Sequence, residues 1–169
     1  MAFNQKVNKQ NKGRTNCRGY TLMELLITMV LIAIVGLISV PSFQRIAINN
    51  NLKTAVRDMA SDFALYKERA IAESRMYRIV LNTGAGTYDI QQCWATGSVC
   101  GGYDPPFQVK DLTQYASDIS FDSATQTVYT FQTRGTVTNG TIRLKNGRNS
   151  TGEIKINITG RANVQFIIN

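Results

Sequence analysis

From Tyr20 to Val40 the chain reads YTLMELLITMVLIAIVGLISV, an apolar run in which Glu24 is the one ionisable side chain other than Tyr20. Its length matches the ~20 residues that a helix needs to cross the hydrocarbon core of a bilayer. A carboxylate costs roughly 2.5 to 3.5 kcal/mol at the centre of an inserted helix, so one near the start of such a run marks a functional position. The residues before Tyr20 carry Lys6, Lys9, Lys12, Arg14 and Arg18 and no acid. By the positive-inside rule that flank stays in the cytoplasm while the rest of the chain is exported.

Two plainer readings compete. A secretory signal also has a basic start, but its apolar core runs only about 7 to 15 residues, and this run is longer and contains Glu24. A simple membrane anchor with an incidental glutamate is the stronger rival. Against it stands the order of a basic leader, Gly19, Tyr20, Thr21, Leu22, Met23, Glu24 and apolar helix. That order resembles the type III signal of type IV pilins and type II secretion pseudopilins. The resemblance implies cleavage by a prepilin peptidase between Gly19 and Tyr20, methylation of the new Tyr20 amine, and a role for Glu24 in assembly with other pilin or pseudopilin subunits at an inner-membrane platform. The family usually begins with Phe, so Tyr20 departs from it mildly. Pilin-like proteins often carry a proline where Pro41 stands.

The formal charge is +8, from 19 basic and 11 acidic residues. Five of the basic residues precede Tyr20, which leaves 14 against 11, or +3, for the remainder. Global charge therefore points only weakly to nucleic acid. The chain has no histidine, which excludes His-based general base chemistry and His-containing metal sites. Cys17 lies in the leader, and Cys93 and Cys100 flank CWATGSVC. In an exported domain such a pair reads as a disulfide closing a surface loop; zinc would need more ligands than the neighbourhood offers. No metal or cofactor is expected.

Residues 1–18 are polar and lack an apolar period, which predicts disorder before cleavage. Pro41 removes a backbone donor and crowds the preceding turn, predicting a kink or local unwinding near Val40. Beyond it Leu52, Val56, Met59, Phe63, Tyr66 and Ala70 recur at spacings of four and three, with Lys53, Arg57, Asp58, Lys67, Glu68 and Arg69 off that stripe. The pattern is that of a helix packing on the domain that follows; a coiled-coil dimer would need more heptads. Three regions result: a leader over 1–19, a long helix over 20–75 with its membrane-spanning part at about 20–41, and a β-rich periplasmic domain over 76–169.

In that domain Met76 to Leu81 and Thr87 to Trp94 read as a hairpin around Thr83-Gly84-Ala85-Gly86. A loop from Ala95 to Pro106 follows, then short strands over Phe107 to Leu112, Ile119 to Phe121 and Thr127 to Phe131. Asn139-Gly140 reads as a two-residue turn between Thr136 to Thr138 and Thr141 to Leu144. Gly147 to Gly152 reads as the next turn, before alternating Ile154, Ile156 and Ile158 and a last strand through Val164, Phe166 and Ile168. A long helix across an antiparallel sheet makes the fold α+β and pilin-like.

The order Phe131, Arg134-Gly135, Gly140-Thr-Ile-Arg-Leu, Glu153-Ile-Lys-Ile and Gly160-Arg161 is similar to the tails of GspH/FimT minor pilins and pseudopilins. That resemblance implies a structural subunit that primes or caps a pilus or a secretion pseudopilus. Some members capture DNA through a basic C-terminal stretch, and Arg143, Lys145, Arg148, Lys155 and Arg161 cluster here. Those members carry G-R-x-R, whereas this chain has Gly160-Arg161-Ala162-Asn163. An anchored enzyme has little support, since Asp104, Asp111, Asp118 and Asp122 show no spacing that catalysis demands.

Overall fold

The computed structural model describes residues 20–169, except the side chains of residues 38–42. The leader, with Gly19 and Cys17, lies outside the described residues. Among those described, one helix, α1 (Leu22–Ala72), precedes eight strands: β1 (Arg75–Asn82), β2 (Thr87–Thr96), β3 (Gln108–Asp111), β4 (Ser120–Ala124), β5 (Val128–Phe131), β6 (Gly140–Lys145), β7 (Thr151–Ile156) and β8 (Ala162–Ile167). The fold is α+β, as expected. Two compact units meet at the Val40 to Pro41 bond. Helical backbone nevertheless continues through Pro41, so the unwinding expected near Val40 does not occur; a proline deletes one ladder bond and leaves the turns on either side hydrogen-bonded. The helix stops at Ala72, and Ser74 takes a φ of 47°, the left-handed geometry common just past a helix end.

In the first unit the apolar side chains are exposed around the whole helix, from Leu22 and Met23 through Leu26, Ile32 and Leu37. A helix apolar on every side belongs in apolar surroundings. Among the described residues no helix is long and apolar enough to cross a membrane; side chains of the run are described only as far as Leu37, and its full reach to Val40 is a property of the sequence.

The second unit is built on the helical stripe. Leu52, Val56, Met59, Phe63, Tyr66 and Ala70 are all buried, none more than 2% exposed. They pack into one core with residues from two antiparallel sheets, ordered β3-β2-β1-β5 and β4-β6-β7-β8. Phe63 meets Tyr129 edge-on at 5.1 Å and Phe131 at 5.5 Å, and Tyr66 meets Tyr77 at 5.6 Å. Such aromatic pairs add about 0.5 to 1.5 kcal/mol beyond their burial. Ile142, Leu144, Ile154 and Ile156 contribute the second sheet's half of the core.

Asn139-Gly140 is not the hairpin turn expected. Val137 bridges to Phe131, and the Thr138 N–H donates to the Thr130 carbonyl at 3.2 Å, so this segment folds back on β5. Gly140 instead opens β6 opposite Ile156. A Cβ there would lie 2.7 Å from the Tyr129 hydroxyl, so close packing, not turn geometry, calls for glycine. Gly152 likewise sits inside β7, where a Cβ would come within 2.5 Å of Val56. The turn closes earlier because Asn146 Oδ1 accepts from the N–H groups of Arg148 and Ser150, both at 3.0 Å. Asn146 and Ser150 also donate to Asn49 Oδ1 of α1, at 3.1 and 2.9 Å. β7 consequently ends at Ile156 and leaves Ile158 exposed.

Tyr88 donates to Asp62 Oδ2 at 2.6 Å, with Lys110 Nζ 3.5 Å from the same oxygen. Burial pushes Tyr77, Tyr115 and Tyr129 up to about 12 and Tyr88 higher still; beside Tyr77, Tyr88 and Tyr115 the carboxylates of Glu73, Asp62 and Asp58 add to it.

Two predictions rest on this packing. Gly152→Ala should cost roughly 1 to 3 kcal/mol through overpacking against Val56, seen as a lower urea midpoint; an unchanged midpoint would contradict the close approach. The folded state also holds its tyrosine protons more tightly than the unfolded chain, where they leave near a pH of about 10. Stability should therefore be full below that pH and fall as pH rises through about 12, with Tyr88→Phe flattening the decline in circular dichroism.

Candidate functional site

Tyr20 precedes the helix and is exposed, and Thr21 caps it: the Thr21 hydroxyl accepts the Glu24 N–H at 3.2 Å. The run Thr21-Leu22-Met23-Glu24 is thus also a capping sequence of the S/T-x-x-E type, a local role that sequence reasoning about this motif missed. Glu24 lies in the first turn, where a negative charge complements the helix dipole. Its side chain is exposed and makes no ion pair among the described residues. This leaves the carboxylate free for a cation from outside the subunit.

Cys93 and Cys100 are bonded, with S–S at 2.08 Å and Cα atoms 5.8 Å apart. The loop is more ordered than its glycines suggested. β2 runs on to Thr96, Tyr103 bridges to Cys93, and the Trp94 N–H donates to the Gly102 carbonyl at 3.1 Å. The Gly97 N–H reaches the Ser74 carbonyl at 2.6 Å, tying the loop to the end of the helix. Arg78 lies over the Tyr103 ring at 4.0 Å. Trp94 and Val99 stay exposed.

The five basic candidates do not form one surface. Arg143, Lys145 and Lys155 share the solvent face of the second sheet, where acids meet them. Arg143 donates to Glu153 Oε2 at 2.6 Å, Lys155 lies 3.1 Å from Glu153 Oε1, and Lys145 lies 3.2 Å from Asp122. The Arg143 guanidinium, then Lys155, hold the Glu153 carboxyl below the usual carboxylate range. Arg148 projects from the β6–β7 turn, exposed and without an ion pair among the described residues. Arg161 stands in the β7–β8 turn beside Arg57 and Lys67 of α1, two helical cations that the linear cluster did not include.

No group of three or more Cys, Asp or Glu among the described residues could hold a metal ion. What the chain does present is a long N-terminal helix, apolar all round and then amphipathic, packed on antiparallel sheets, which defines a pilin-like protein. Residues 14–40 match the prokaryotic N-terminal methylation motif, and residues 55–160 match the family described as Type II transport protein GspH. The second match spans well over half of the chain, and the chain belongs to that GspH family of minor pilins and pseudopilins.

Solved structures agree on the fold. The type IV minor pilin FimU of Pseudomonas aeruginosa superposes with a TM-score of 0.53 at 18% identity, covering 69% of this chain and 90% of that one. The minor pseudopilin EpsH of the Vibrio cholerae type 2 secretion system gives 0.51 at 13% identity, over 70% and 97%. GspH of E. coli gives 0.53 at 14% identity, over 70% and 89%. A comparison with curated proteins finds no significant match.

Closing a loop between cysteines 7 positions apart should contribute about 2 kcal/mol through the unfolded state. Replacing both with serine is expected to lower the urea midpoint by that amount and to leave the far-ultraviolet spectrum unchanged; loss of strand signal would show a wider role for the loop.

Proposed function

We propose that this chain is a minor filament subunit that primes or caps a type IV pilus or a type II secretion pseudopilus. The observation that carries the reading is Glu24, an exposed acid in the first turn of an all-apolar helix, one turn from Tyr20. A carboxylate taken into apolar surroundings needs a cation. Prepilin peptidase would supply one by cutting between Gly19 and Tyr20, and methylation keeps that Tyr20 amine basic. As a subunit leaves the membrane for the filament, its own amine would neutralise Glu24 of a neighbour. Close apolar contact between rods then holds the subunits together.

On this reading the chain sits in a bacterial inner membrane with its leader in the cytoplasm, and the assembly platform draws it upward from there. The β domain lies in the periplasm, an oxidising compartment in which the Cys93 to Cys100 bond would persist. DNA capture has less to stand on. Phosphate contacts need unpaired cations, and three of the five candidates already face Glu153 or Asp122.

Glu24→Ala should leave membrane insertion and cleavage intact and abolish incorporation into the filament, measured by pull-down of assembled filaments. The mature wild-type chain should show an intact mass lacking residues 1–19 and carrying one added methyl group. Normal incorporation of the variant, or an uncut chain, would refute the mechanism.

A further inference from the structure

A groove of about 610 Å³ opens between α1 and the β7–β8 turn. We propose that it is the docking site for an acidic segment of a different, neighbouring subunit; this rests on the filament role given above. Three cations converge on it: Arg57 and Lys67 from α1, and Arg161 from the turn.

Each cation is placed by the fold. Gly160 takes a φ of 72°, and a Cβ there would lie 2.7 Å from Lys67 Cδ, so the lysine stem runs directly along the turn backbone. Gly135 flanks the same stem, its notional Cβ 3.5 Å from Lys67 Cε. The Arg161 N–H donates to Asn157 Oδ1 at 2.8 Å, and the same oxygen accepts the Thr159 hydroxyl at 2.8 Å, which holds the turn in shape. Arg57 lies 5.8 Å from the centre of the Phe166 ring.

Charge in the groove is unbalanced, unlike the sheet face. Glu68 is the one acid on its wall, a largely exposed side chain 4.0 Å from Lys67. Three positive charges against one leave two uncompensated. The floor is Ala60, Ser61 and Ala64, whose short side chains let another backbone approach the helix. A carboxylate-bearing segment fits this shape and charge.

Nucleic acid fits it less well. A duplex carries one charge per ~1.7 Å of axis and is tracked by a run of cations, whereas these three surround a single bounded groove. The nearby cations that could extend a track are held by Glu153 and Asp122. A second copy of this chain is also a poor occupant, since beyond the leader it carries 14 basic residues against 11 acidic.

The test uses the full chain in non-ionic detergent and a fluorescent, end-blocked tetraglutamate peptide, followed by anisotropy at low and moderate salt. Arg57→Glu and Arg161→Glu should each weaken peptide binding roughly tenfold, as losing one close charge pair does. Arg148→Glu, outside the groove, should leave it within about twofold, a margin small beside that tenfold loss. Arg161→Gln guards against misfolding of the reversals: with an unchanged melting temperature it should still weaken binding. Equal losses at Arg148 and Arg161, or none in the groove variants, would overturn the proposal. So would displacement of the peptide by a short DNA duplex at lower concentration than unlabelled peptide. The two readings fail separately: an uncut Met1 terminus refutes the filament role, whereas groove reversals that bind peptide normally on a correctly cut chain refute the docking site alone.

Discussion

One continuous helix must satisfy two different surroundings. Up to Leu37 it shows apolar side chains in every direction, and from Leu52 to Ala70 it buries a single stripe and turns charge outward. The first pattern is stable only where no water competes for the surface. The second is stable only against a partner that covers the stripe, and both sheets are that partner. The rest of the domain follows from where the stripe must go.

Because two sheets share one helical face, their approach to it is close. Gly152 lets β7 reach Val56, and Gly140 lets β6 pass under Tyr129. Both glycines act through the absence of a side chain at a crossing. Polar groups caught beneath the sheets are mostly resolved by partners: Asp62 by Tyr88 and Lys110, Asn49 by Asn146 and Ser150. The Tyr129 hydroxyl is the exception among the described residues, buried without a well-formed hydrogen bond.

What could be read in the chain beforehand was whatever local periodicity encodes. All six stripe residues lie in the core, and the first hairpin and the later strands fall within a residue or two of their expected places. The Cys93 to Cys100 bond was legible from spacing and compartment alone. Asn139-Gly140 misled because the same dipeptide that suits a tight turn also suits a strand that starts under a tyrosine. Gly152 misled in the same way, since only tertiary contact distinguishes a turn glycine from a crossing glycine. The division of the strands into two sheets depends on pairings such as β1 with β5, distant in sequence. Likewise the basic cluster looked continuous along the chain, but strand pairing sets Arg143 opposite Glu153 and carries Arg161 to the helix.

The helix also has a mechanical consequence. The stripe runs along the axis of α1 across the domain, so tension applied along that axis loads the six buried side chains in parallel, in shear. The hairpins, by contrast, would unzip rung by rung if pulled at an edge. Resistance to force is governed by the barrier to unfolding, and the parallel arrangement makes that barrier high in the one direction a rod would transmit load. A subunit built this way can be dragged by its stem without shedding its head.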